Sequence, residues 1–89
     1  MHEKSLLRGL LTQIETMARQ NRATRVSVVR VKLGPLAHIE PSHLREHFVE
    51  ASKGSLADGA TLEIAVTEEL HDISLESIDV EALPEDERQ

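Results

Sequence analysis

Cysteine occurs nowhere in these 89 residues. Its absence excludes a disulfide framework, a zinc ribbon and any thiolate nucleophile or ligand. Tryptophan and tyrosine are missing too, and Phe48 is the single aromatic residue. The core must then be built from Leu, Ile and Val, and the surface offers no aromatic platform on which nucleobases could stack. No apolar run is long enough to span a bilayer, and the start does not show the basic-then-apolar pattern of a signal segment. There is no glycine-rich phosphate loop, no nucleophile elbow and no His-Glu-x-x-His. These absences point away from a membrane protein and away from an enzyme, and make the cytoplasm the expected location. The length fits one small domain whose core is too modest to enclose a deep substrate pocket.

Charge is present but unevenly placed. Residues 1–62 are net +3 and residues 63–89 net −9, which together give the formal charge of −6. A chain this acidic does not suit nucleic acid, which is held by basic surface. The unit is expected to occupy residues 1–81, with the acidic segment 82–89 reading as a solvated, disordered tail.

The pattern of apolar residues gives the element order. Leu6, Leu7, Leu10, Leu11, Ile14, Met17 and Ala18 recur at three- and four-residue spacing and predict a helix over 4–20, with Asn21 suited to a left-handed cap. Gly9 weakens that helix by ~1 kcal/mol relative to alanine, so it marks either a close packing contact or nothing in particular. Residues 25–33 are rich in valine and stop at Gly34-Pro35, which reads as a strand with Val26 and Val28 on one face and Val29, Val31 and Leu33 on the other. Both faces are then partly covered, as in a strand near the middle of a sheet. Pro41 opens a second helix, with Glu40 and Ser42 as charged or capping groups near its start. Leu44, Phe48 and Ala51 form its apolar stripe, with Val49 at the flank, and Lys53-Gly54 ends it. Residues 60–67 form a strand that buries Leu62, Ile64 and Val66, and residues 73–80 form the last strand. In that last strand Ile73 and Leu75 share one phase and Ile78 and Val80 the other, so either a bulge near Glu76-Ser77 restores one buried face or the two pairs cover different layers. The expected fold is α+β: a small three-stranded sheet packed with two helices, in the order helix, strand, helix, strand, strand. Strands one and two, joined through a helix, are expected to be parallel, and strands two and three to form an antiparallel hairpin.

Chemistry concentrates at a few positions. Met1-His2-Glu3 places an α-amine, two backbone nitrogens, an imidazole and a carboxylate in one short segment. His2 is too bulky for the initiator methionine to be removed, so Met1 is expected to stay. Several nitrogen donors in a plane suit Ni(II) or Cu(II). The plain alternative is a frayed terminus with no ligand. His43 and His47 lie four apart on the second helix with Glu50 a turn further on, and form an alternative divalent-ion site or merely a wet polar face. His38, in the loop before that helix, could approach the amino terminus or do nothing. His71 stands among Glu68, Glu69 and Asp72, and reads as an outside ligand or as a hydrophilic tip.

The opening Met1-His2-Glu3-Lys4-Ser5-Leu6 and its amphipathic helix resemble the HypA family of hydrogenase and urease nickel-insertion proteins. The resemblance continues over residues 24–36, through Ile39-Glu40-Pro41-Ser42-His43-Leu44-Arg45 and residues 54–64, and to Leu75-Glu76-Ser77-Ile78-Asp79-Val80. It implies an α/β nickel domain of two helices on a three-stranded sheet. It implies Ni(II) held chiefly by His2, with help from the Met1 amine or nearby backbone nitrogens and from Glu3. It also implies two partners, a HypB-like GTPase and the large subunit of a nickel–iron hydrogenase. Family members carry a zinc module of two Cys-x-x-Cys pairs between the second and third strands. Here residues 68–72 stand in that place, so structural zinc is expected to be absent and His71 to sit where the module would join. The expected function is a nickel-binding accessory protein, metallochaperone-like and not an enzyme. The alternative is a metal-free protein-interaction module derived from the same domain, whose small sheet leaves an edge where two chains could pair as a homodimer.

Overall fold

The computed structural model describes residues 3–82. In order these form helix α1 (Glu3–Gln20), strand β1 (Ala23–Leu33), a short 3-10 turn (Pro35–Ala37), helix α2 (Pro41–Ala51) and strands β2 (Thr61–Val66) and β3 (Ile73–Ala82). The architecture is the α+β arrangement that the sequence predicts. β3 reaches Ala82, one residue into the expected tail, and residues 83–89 lie outside the described residues.

The sheet order is β2-β1-β3. β1 is central, and it runs parallel to β2 from Val28↔Thr61 to Leu33↔Val66, as the helical crossover requires. The expected hairpin between β2 and β3 does not form, because β3 pairs antiparallel with the far edge of β1 instead. The reason lies in residues 67–72, which cross the end of β1 and bond to it. Thr67 N donates to Leu33 O (2.9 Å), Gly34 N to Asp72 O (2.7 Å) and Leu36 N to His71 O (3.1 Å). Gly34 is what lets the two backbones meet. A Cβ there would stand 2.1 Å from the His71 carbonyl oxygen and 2.9 Å from that of Glu69.

Bulges decide which side chains face inward. The register between β1 and β3 shifts between Ala23 and Arg25 and again between Val26 and Val28, which makes Thr24 and Ser27 the extra residues. Each hydroxyl then reaches across the disrupted ladder, Thr24 Oγ1 to Glu81 O (3.1 Å) and Ser27 Oγ to Asp79 O (3.2 Å). The second bulge corrects the expected faces of β1: Val26 joins Val29, Val31 and Leu33 on the buried side and Val28 turns to the other. A third shift, between Arg30 and Val31, makes Glu76 the extra residue of β3. It brings Ile73, Leu75, Ile78 and Val80 onto one face, so the bulge reading of that strand is the right one.

Both helices lie on this apolar face, α1 over β1 and β3 and α2 over β2. α1 buries Leu7, Leu10, Ile14 and Ala18 at the predicted spacing. Gly9 is exposed, with no atom within 4 Å of where a Cβ would lie, so it marks no packing contact. The left-handed residue after α1 is Arg22, not Asn21. Asn21 closes the helix differently, by donating its side-chain amide to Met17 O (2.7 Å). α2 buries Leu44 and Phe48, and its C-cap Ser52 is buried after them, a narrower stripe than expected, which leaves Ala51 and Val49 exposed. Glu40 occupies its N-cap without a side-chain capping bond, and Arg45 ties the helix to β2 by donating to the Leu62 carbonyl. Val66 faces the helix side in register but stands beyond their cover, 69% exposed, against the expected burial.

Candidate functional site

Met1 and His2, and the side chain of Glu3, lie outside the described residues, so the setting of the amino-terminal segment is read from the helix it leads into. α1 begins at Glu3, and its first described turn is at the surface, with Lys4 and Ser5 exposed and Leu7 the first residue to enter the core. The first four N–H groups of a helix have no carbonyl to bond to within it. The N–H groups of the first turn of α1, from Glu3 onward, are therefore not committed to bonds within the helix.

His71 sits in the connection that crosses the end of β1. Its ring is partly buried, with Nδ1 3.4 Å from Ser74 Oγ and Nε2 3.9 Å from Glu69 Oε1. That carboxylate is already engaged, since Glu69 Oε1 is 3.5 Å from Lys32 Nζ and 3.3 Å from Thr67 Oγ1. The Lys32 ammonium, and next the Thr67 hydroxyl, hold the Glu69 carboxyl below its ordinary value of 4.5. An ammonium beside the nearest carboxylate is poor company for a second cation, and the sequence pattern around His71 gave no sign of it. His38 follows the 3-10 turn in left-handed conformation (φ 53°) and is exposed. With Leu33, Gly34, Pro35, Ile39, Pro41, Val66 and Thr67 it lines a cavity of about 220 Å³.

His43 and His47 project from one side of α2, both exposed, with ring centroids 6.3 Å apart and planes inclined at 61°. Glu50 does not join them. Its Oε2 lies 2.7 Å from Lys53 Nζ, and that hydrogen bond, aided by the ammonium charge, holds the carboxyl below its ordinary value. Among the described residues no three His, Asp or Glu side chains converge as an ion-holding group. The histidines of residues 3–82 thus form one helical pair and two separate positions, His38 and His71.

These features define a class: a compact helix-on-sheet unit whose first surface turn comes directly after a segment of nitrogen donors. The family model described as hydrogenase/urease nickel incorporation, metallochaperone, hypA matches residues 1–72. The chain belongs to this HypA family, which is described as a metallochaperone family and not as a family of catalysts. It is 42% identical over 64 residues to the hydrogenase maturation factor HypA of Dechloromonas aromatica, covering 72% of this chain and 57% of that protein. The HypA of Azotobacter chroococcum is 44% identical over 64 residues (72% and 57%), and that of Archaeoglobus fulgidus 41% over 66 residues (74% and 60%). The aligned region thus spans a little over half the length of the curated relatives it matches. The fold is that of the solution structure of the Ni metallochaperone HypA from Helicobacter pylori, with a TM-score of 0.78, 20% identity and coverage of 93% of this chain and all of that one.

Proposed function

We propose that this chain is a nickel-binding accessory protein for maturation of a nickel enzyme, most directly a nickel–iron hydrogenase, and that it holds Ni(II) as cargo at Met1, His2 and Glu3. The observation that carries this reading is the family match that starts at residue 1, takes in the donor segment and runs on through β2 to residue 72. The exposed first turn of α1 supports it, because a carrier must surrender its ion to a partner and a surface site permits that. The partners that fit are a HypB-like GTPase and the hydrogenase large subunit, in the cytoplasm. The sequence has no cysteine with which to build a zinc module, and residues 68–72 are bonded onto the end of β1 as a finished connection. We therefore assign residues 1–81 to a single nickel domain with no structural zinc.

Binding through a neutral imidazole and amine should weaken as pH falls through roughly 6.5. The direct test is calorimetric titration of Ni(II) into the native chain, His2→Ala, and a chain extended by one residue before Met1. Both changes should weaken the tight site at least tenfold, and unchanged affinity in the two variants would overturn the assignment. The alternative, a metal-free docking module, has support in the partial coverage of the longer relatives. It requires that the native chain bind no Ni(II) tightly while still retaining the GTPase in a pull-down.

A further inference from the structure

We propose that the recess where β1 and β2 both end is a docking site for a basic segment of a partner protein, which anchors there through one large aliphatic or aromatic side chain. The recess holds about 220 Å³ and is walled by Leu33, Pro35, Ile39, Pro41 and Val66, with His38 and Thr67 as its polar side chains. Sites that enclose small-molecule ligands run to roughly 300–1,000 Å³, so this one is on the scale of a single side chain. It stays open because the helices stop short of it, which leaves Val66 69% exposed. Leu36 and Leu70 are 50% and 81% exposed, and they lie in the two segments that the Leu36 N–His71 O bond (3.1 Å) ties together at the same end of the sheet. Three of the four large apolar side chains exposed among the described residues thus gather here, and the fourth, Val49, is on α2. Apolar exposure gathered in this way marks a surface that meets another protein.

The charge around the recess selects its occupant. The two segments that build this end, residues 33–43 and 66–72, contain no lysine or arginine and carry Glu40, Glu68, Glu69 and Asp72. Glu69 is engaged by Lys32, and Asp72 Oδ1 accepts a hydrogen bond from Ile73 N. Glu40 stands between the lining residues Ile39 and Pro41, and Glu68 follows Thr67, so each lining segment carries one exposed carboxylate beside the recess. Among the described residues no ion pair engages either of them. A second copy of this chain would bring the same carboxylates face to face. An anionic membrane surface or a nucleic acid would be repelled as well. A polypeptide segment with Lys or Arg on either side of an apolar anchor satisfies both the cavity and the charge. This assignment does not depend on the amino-terminal metal site.

The chain contains no tryptophan or tyrosine, so the fluorescence of a tryptophan-bearing peptide reports its binding without a protein signal. Short peptides with a Lys-Trp-Lys or a Glu-Trp-Glu core are the probes, titrated against the full chain. Lys-Trp-Lys should bind at least tenfold more tightly than Glu-Trp-Glu, and should shift the NMR methyl resonances of Leu33, Ile39 and Val66. Val66→Lys, at a position exposed enough to leave folding intact, should weaken that binding at least tenfold. Glu40→Gln combined with Glu68→Gln should remove most of the preference for the basic peptide, and Val49→Ser should leave it within about twofold. Equal affinity for the two peptides, no binding of either, methyl shifts away from the recess, or full affinity in Val66→Lys would overturn the assignment. So would movement of those methyl resonances with protein concentration alone, since the occupant would then be a second copy.

Discussion

On the helix side of the sheet, Val29 lies between Leu62 and Ile78, and Val31 between Ile64 and Leu75, under the cover of α1 and α2. On the opposite side the intervening residue, Arg30, reaches in both directions. It bonds Asp79 through two nitrogens (2.8 and 3.0 Å) and Glu63 through Nε (3.1 Å). Lys32, two residues on, stands 3.5 Å from Glu69 and 4.0 Å from Glu76. The same three strands thus make one face by excluding water and the other by neutralising charge in its presence. Burial of apolar area drives folding and is not weakened by ionic screening. Ion pairs at exposed positions contribute little, and what they contribute is screened. Stability should therefore reside on the covered face, and the open face should set solubility and response to pH.

The sharpest way to break that division is to empty the covered face. Phe48 is fully buried and is the largest core side chain. Phe48→Ala should cost about 3–5 kcal/mol, a large part of the roughly 5–15 kcal/mol available to a small domain. Urea denaturation followed by circular dichroism should show the midpoint fall by most of its native value. A loss comparable to that of an open-face variant would contradict the division.

Gly34→Ala tests where the two faces are sealed together. The new methyl would meet the His71 carbonyl, so residues 67–72 would have to lift off the end of β1 and give up the Gly34–Asp72 and Leu36–His71 hydrogen bonds. Overpacking of this kind costs about 1–3 kcal/mol. Hydrogen exchange should accelerate at the Gly34, Leu36 and Thr67 amides while those in the middle of α1 stay protected. Uniform acceleration, or none, would show that the crossing is not an independent closure.

The contrast also explains what could be read from the sequence. The stripe Leu7, Leu10, Ile14, Ala18 is legible because helical packing is periodic and local. The faces of β1 are not, because the bulges at Thr24 and Ser27 are settled by carbonyls 57 and 52 residues away. The hairpin expected of β2 and β3 fails for the same reason, since a short connection can turn back or cross over. Here Gly34 and the acceptors on the crossing segment favour the second. The donor segment Met1-His2-Glu3 is a proposal that rests on the sequence and the family match, since Met1, His2 and the side chain of Glu3 lie outside the described residues. The setting of His71 is not legible, because Lys32, which claims Glu69, arrives from another strand.

The smallest effect expected is on the open face, and pH is what makes it measurable. Hydrogen bonds from the Arg30 guanidinium, more than its charge, hold the Asp79 carboxyl below its ordinary value of 3.8. A carboxylate so depressed in the folded state stabilises the protein above that ordinary value, and loses its contribution as pH falls through the depressed one. Arg30→Gln should bring the Asp79 carboxyl back up toward 3.8, as followed by NMR titration of its side-chain carbon. The native chain should exceed the variant in melting temperature slightly at neutral pH, and the two should converge as pH falls through the depressed value, where Asp79 becomes protonated in both. Adding salt at neutral pH should narrow the gap as well, because both partners are partly exposed, with side-chain exposures of 38% for Arg30 and 51% for Asp79. A gap that persisted in acid and in high salt would mean that Arg30 acts by packing its stem on the sheet, and that the open face contributes to stability by the same means as the covered one.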